Sequence, residues 1–118
     1  MISENFQHKE LAQGRWFSLS LMEQLGNIGS EVSRAINWKN KGNFQQSQNA
    51  FYRGLELIYL TVEDKKNLKQ LREILMMRES LCDFFVGGNQ FKSSDISWQK
   101  YFLQFGYAAR KNPTIINL

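Results

Sequence analysis

MEQLGNIGSEVSRAINW, from Met22 to Trp38, is the stretch whose reading decides the fold. Leu21, Leu25, Ile28, Val32, Ala35 and Ile36 recur at three- and four-residue spacing, which is the apolar stripe of an amphipathic helix. Ser20 followed by Glu23 forms a capping box. Lys39 and Lys41 suit a helix C-terminus, and Gly42 suits the position just past it. A helix from Ser20 to about Asn40 follows. Yet it carries Gly26, Gly29, Ser30 and Ser33, all weaker helix formers than alanine. At about 100° per residue, Gly26, Gly29 and Ser33 fall along one edge of the apolar arc. Small residues in that position predict the close approach of a neighbouring helix. The alternative is a groove where a ligand or another chain reaches the bare backbone. Asn27, Glu31, Arg34 and Trp38 form a polar stripe on the opposite edge.

The same periodicity continues outward. A second helix is expected over Phe44 to Glu63, with Phe44, Phe51, Leu55, Ile58, Tyr59 and Val62 on its face. A third runs from about Asn67 to Val86 and stops at Gly87-Gly88. A fourth starts after the cap candidates Ser93 and Ser94 and continues to about Arg110, and Pro113 closes it. No stretch alternates in the manner of a strand. Long helices on short joints predict an all-α fold, an up-down antiparallel four-helix bundle over residues 19–111. Residues 1–18 read as a partly ordered N-terminal segment whose Trp16 and Phe17 dock on the bundle. Residues 112–118 read as a C-terminal tail.

Composition sets outer bounds. A chain of 118 residues forms one domain with one core and needs no staples. No apolar run approaches the roughly 20 residues that cross a bilayer, and the N-terminus lacks the basic-then-apolar order of a signal peptide. Cys82 is the only cysteine, so no internal disulfide forms. The expectation is a cytoplasmic protein with no membrane association. The net charge of +4 is unevenly placed: residues 1–63 are neutral, and the excess lies beyond them, most of it after residue 86. A basic C-terminal third keeps nucleic acid among the candidate partners.

Two features bear on a site. On the third helix Arg78 projects into the middle of an arc made by Leu71, Ile74, Leu75, Leu81, Cys82 and Phe85. A buried guanidinium demands a partner, and Glu31 is the first candidate. Glu79 and Asp83 stand four residues apart and repel unless a cation such as Arg34 or Arg72 lies near. Glu31, Arg34, Arg78, Glu79 and Asp83 therefore form a candidate buried polar cluster, read either as a structural ion pair or as an anion-binding site. If that pair is buried, Arg78→Ala costs about 3–5 kcal/mol. On the fourth helix Trp98, Tyr101, Phe102, Phe105, Ala108 and Ala109 make a core face, and Ile96, Leu103 and Tyr107 make a second apolar strip nearly opposite. A helix that is apolar on two sides contacts something on both. That strip is the candidate face for homo-oligomerisation or for a protein partner.

Catalytic constellations are missing. No glycine-rich phosphate loop follows a strand. The single histidine, His8, stands apart from the predicted helices, which leaves nucleophile–histidine chemistry without a base. Di-iron bundles need Glu-x-x-His pairs. Glu31, Glu79 and Asp83 offer oxygen ligands for magnesium, but Glu79 and Asp83 are spaced Glu-x-x-x-Asp, whereas the helical pyrophosphohydrolases carry Glu-x-x-Glu and Glu-x-x-Asp. No catalytic residue, metal or cofactor is assigned.

KGNFQQSQNAFYRGLEL (Lys41–Leu57) resembles the second half of a tetratricopeptide repeat, which implies close helix-pair packing. No second copy lies about 34 residues away, as a solenoid requires. EQLGNIGSEVSRA together with RESLCDFF resembles a group of small prokaryotic helical proteins without assigned activity, over most of residues 15–111. In outline the chain is also similar to four-helix-bundle proteins of the ribosomal intervening-sequence type. Their relatives include the accessory subunits of diversity-generating retroelements. That likeness implies a ring-forming homo-oligomer that binds nucleic acid and a reverse transcriptase. The ribonuclease bundles of the HEPN superfamily need an arginine followed closely by a histidine, which this sequence lacks. The expectation is a non-enzymatic, self-associating binding or scaffold module. The alternatives are a nucleic-acid accessory protein and an enzyme or binder of a phosphorylated ligand acting through Arg78.

Overall fold

The computed structural model describes residues 9–111, and the readings of residues 1–8 and 112–118 fall outside them. The described residues are helical and contain no strand. The helices are α1 (Lys9–Ser18), α2 (Leu21–Asn40), α3 (Phe44–Glu63), α4 (Leu71–Phe85) and α5 (Asp95–Lys111), with a 3₁₀ helix (Lys65–Gln70) between α3 and α4.

The predicted caps form. Ser20 Oγ accepts the Glu23 amide at 3.1 Å, and Glu23 Oε1 accepts the Ser20 amide at 2.9 Å. Together they satisfy donors that a helix start leaves open. After α2, Gly42 takes φ +80°, a left-handed conformation that favours glycine. Asn43 then caps α3 by accepting the Gln46 amide at 3.1 Å.

Two boundaries differ from expectation. Lys9–Ser18 is a ten-residue helix, and its Trp16 is anchored in the core. The third predicted helix does not start at Asn67. Asp64 caps the chain by accepting the Lys66 amide, and Asn67 turns its amide inward to the Thr61 carbonyl at 3.0 Å. Side chains that bond the local backbone compete with α-helical turns, and the six residues tighten into 3₁₀ geometry. The α-helix begins at Leu71.

Helix α2 is central, with its main packing against α3 on one side and α5 on the other. Leu25, Ile28, Val32, Ala35 and Ile36 of α2 are buried with Ala50, Phe51, Ile58 and Leu60 of α3, Ile74, Met77 and Leu81 of α4, and Trp98 and Phe102 of α5. The glycines of α2 explain its contact with α5. A Cβ on Gly29 would lie 2.6 Å from Phe102 Cβ, and one on Gly26 would lie 3.6 Å from Gly106 Cα. The close-approach reading of the stretch quoted above is therefore the structural one. The helices also lock at their ends. Asp95, at the start of α5, accepts from Lys39 Nζ at 2.9 Å and from Asn40 Nδ2 at 3.1 Å. Burial raises the Asp95 pKa, but these two donors outweigh it and hold the carboxyl below its ordinary value.

Candidate functional site

The structure does not bring the candidate polar cluster together. Glu31 is paired, but with Arg34 (3.1 Å) and Arg53 (3.3 Å). Arg78 and Glu79 are exposed. Asp83 faces the loop after α4, where its two oxygens accept the amides of Gln90 (2.8 Å) and Phe91 (3.0 Å). The error lies in the phase of α4. Its buried residues are Ile74, Met77 and Leu81, which centres the arc roughly 60–70° from Arg78 at 100° per residue. Leu71, Leu75 and Cys82, taken as core, are only half-buried. With Arg78 they line an open surface depression. Burial pushes the Cys82 thiol pKa up, against the lowering pull of Arg78, which keeps the thiol protonated and unreactive.

Arg78→Ala is accordingly expected to cost less than about 0.5 kcal/mol, as exposed substitutions do. Chemical denaturation checks this. A loss of several kcal/mol would restore the buried pair.

The sequence reading missed a buried polar hub at the other end of the molecule. Gln24, on α2, is completely buried. Its Nε2 donates to the Trp16 carbonyl at 2.9 Å and to Asp64 Oδ2 at 2.8 Å. Its Oε1 accepts from Asn67 Nδ2 at 2.9 Å. Trp16 Nε1 donates to Thr61 Oγ1 at 2.9 Å, and the Thr61 hydroxyl in turn donates to the Leu57 carbonyl at 2.8 Å. Lys66 pairs with Asp64 and also reaches the Phe17 carbonyl. One network thus ties α1, α2, α3 and the 3₁₀ helix. Burial raises the Asp64 pKa, and the hydrogen bonds from Lys66 and Gln24 more than reverse it, leaving the carboxyl below its ordinary value. The hub is satisfied and closed, as a structural pin should be. One signal was available: Gln24 lies within the apolar arc of its helix, three residues from Leu21 and four from Ile28.

Among the described residues no group of three His, Cys, Asp or Glu side chains is placed to hold a metal ion. Glu31, Glu79 and Asp83 in particular are not gathered. Nor does any described helix have the length and apolarity to cross a membrane.

The outer face of α5 is the surface feature that the sequence located. Ile96, Leu103 and Tyr107 are 63%, 67% and 56% exposed. Ile96 and Leu103 also border an open groove of about 630 Å³ between α5 and α2, whose α2 wall is Gly26, Gly29, Ser30, Ser33 and Asn37 and whose α5 side carries Lys100. An apolar ridge therefore stands beside a groove whose α2 wall is made mostly of small residues. Compared with protein families, curated proteins and solved structures, the chain matches none.

Proposed function

We propose that this protein is a non-enzymatic, cytoplasmic scaffold or binding module, an up-down antiparallel bundle of α2 to α5 that self-associates through the outer face of α5. The observation that carries the reading is the exposure of Ile96, Leu103 and Tyr107 in one strip. Three large apolar side chains left in water on one helix face mark an interaction surface more often than an ordinary surface. The adjoining groove supports a second copy as the occupant. In a two-fold arrangement each surface meets itself, so the Ile96–Leu103 ridge of one copy would enter the glycine-serine groove of the other. The three-residue joint Lys41–Asn43 supports an antiparallel turn between α2 and α3.

Sedimentation or light scattering at roughly 50 µM protein, a concentration at which a modest dimer populates by mass action, is expected to show a dimer or larger assembly. Leu103→Arg is expected to give a folded monomer, because residue 103 is exposed within one copy, with Tm lowered only by the lost contribution of association. A wild-type protein that stays monomeric under those conditions overturns the proposal. Retention on heparin that falls steeply with salt would favour the nucleic-acid accessory role instead.

A further inference from the structure

An open recess of about 550 Å³ lies between α4 and α5. Met77 and Trp98 in its lining are buried, Tyr101 is half-buried, and Glu73, Met76 and Phe91 are exposed. At 100° per residue Trp98 and Tyr101 project from the side of α5 opposite Leu103 and Tyr107. The recess is therefore separate from the proposed self-association face.

Three properties of the recess point to one chemistry. First, its lining is aromatic. The Trp98 and Tyr101 rings meet edge to face, 5.5 Å apart at 85°, with Trp98 also stacked on Phe102, so the half-buried Tyr101 and the exposed Phe91 are the rings open to the recess. Phe91 is 59% exposed, yet its backbone is held. Asp83 accepts its amide, and Asn89 on one side and Lys92 on the other adopt φ of 52° and 57°, uncommon for residues other than glycine. The Asn89 side chain bonds the Ser93 backbone in both directions, at 2.9 Å each. The loop thus accepts a left-handed backbone at two positions while presenting a phenylalanine to solvent.

Second, the charge of the recess runs against that of the molecule. In a chain of net charge +4, no lysine or arginine among the described residues lines it, and its one ionised side chain among them is Glu73. The negative charge of Glu73 reaches the rings: after burial, it is what raises the Tyr101 hydroxyl pKa above its ordinary value. Third, Trp98 Nε1 is buried without a hydrogen-bond partner, a donor of the kind that native structures rarely leave open.

Aromatic faces are electronegative, and a cation near several of them is attracted, most of all when it sheds water easily. A primary ammonium is strongly hydrated and loses that hydration among Met77, Met76 and the rings. A methylated ammonium presents apolar methyl groups to the same surfaces and keeps its charge for Glu73. We infer that the α4/α5 recess binds a small quaternary ammonium compound of the choline type, held against Tyr101 and Phe91 beside Trp98 and by the Glu73 carboxylate. Asp83 is a positioning residue in this arrangement, since it fixes Phe91.

The test is titration of the intact protein with choline, followed by the indole N–H resonance of Trp98 in ¹H–¹⁵N spectra. Saturable shifts are expected. Choline is expected to bind about tenfold more tightly than ethanolamine or the uncharged isostere 3,3-dimethylbutan-1-ol, because only choline combines charge with weak hydration. Glu73→Gln and Phe91→Ala change exposed residues and leave the core intact, and each is expected to weaken choline binding severalfold. Leu103→Arg is expected to leave it unchanged, which separates this site from the self-association face. Equal binding of the uncharged isostere overturns the assignment, and so does an unmoved Trp98 resonance or wild-type affinity in both the Glu73 and the Phe91 variants.

Discussion

Replacing Gln24 with leucine is expected to cost about 3 kcal/mol of folding stability, a fall in Tm of roughly 10 °C for a domain of this size. The side chain is fully buried and makes three hydrogen bonds, to the Trp16 carbonyl, to Asp64 and from Asn67. Leucine fills nearly the same volume, so the cavity contribution is small and the loss is polar. The Trp16 carbonyl loses its bond from Gln24 and keeps the Leu19 amide at 3.1 Å, so the cost is that of three lost hydrogen bonds at about 1 kcal/mol each. Asn67 keeps its bond to the Thr61 carbonyl, and Asp64 keeps Lys66, which limits the damage. The substitution also carries a pH signature. Asp64 has a folded pKa below its unfolded value of 3.8, so its contribution is present above that value and disappears as pH falls through the folded pKa. Removing Gln24 takes away one of the bonds that lower it. The gap between wild type and variant is therefore expected to be widest near neutrality and to narrow as pH falls below 3.8 and through the lowered folded pKa of Asp64. Urea denaturation at pH 7 and at about pH 3 measures both effects. A neutral-pH loss under about 1 kcal/mol would mean that the hub is dispensable.

The contrast between this hub and the predicted cluster shows what the sequence could carry. Helix boundaries at Ser20 and Gly42 were legible because capping is local: the residue that ends a helix bonds the backbone three or four positions away. The exposed strip of α5 was legible too, since a helix with two apolar faces cannot bury both against one neighbour. Arg78 was misplaced because α4 has more apolar residues than its neighbours can cover. Leu71, Leu75 and Cys82 spread the arc so widely that its centre cannot be found from the pattern alone. Only the neighbours' shape selects Ile74, Met77 and Leu81. Beyond the position of Gln24 in an apolar arc, the hub left no trace in the sequence, for a different reason. Trp16, Gln24, Thr61, Asp64 and Asn67 are separated by up to 51 positions, and nothing local distinguishes an asparagine that caps a turn from one that also points inward. The α4/α5 recess belongs to the same class, because Glu73, Phe91 and Trp98 meet only after both helices and their connecting loop have packed.

Gly29→Ala and Gly26→Ala are expected to move stability in opposite directions, although they lie three residues apart on the same helix edge. Alanine is favoured over glycine inside a helix by about 1 kcal/mol, and both variants receive that gain. At Gly26 the new methyl would lie 3.6 Å from Gly106 Cα, an ordinary van der Waals distance, so the gain survives and the variant is expected to be neutral or more stable by up to about 1 kcal/mol. At Gly29 it would lie 2.6 Å from Phe102 Cβ and 2.8 Å from Cγ. Those atoms sit at the root of a buried side chain and cannot swing aside by a change of rotamer. Helix α5 must retreat, and Phe102 and Trp98 lose packing with it. Overpacking of a filled core costs about 1–3 kcal/mol, and the expected net loss is about 2 kcal/mol once separation of the two helices is included. Thermal and urea unfolding of the two variants side by side checks the sign of each. Equal stabilisation by both substitutions would mean that α5 does not press against α2 at Gly29. A loss confined to Gly29→Ala would locate the closest approach of the two helices at that residue, on the wall of the groove into which a second copy is proposed to dock. In that case Gly29→Ala would also weaken self-association, and Gly26→Ala, on the same groove wall, would test the docking surface without a loss of stability.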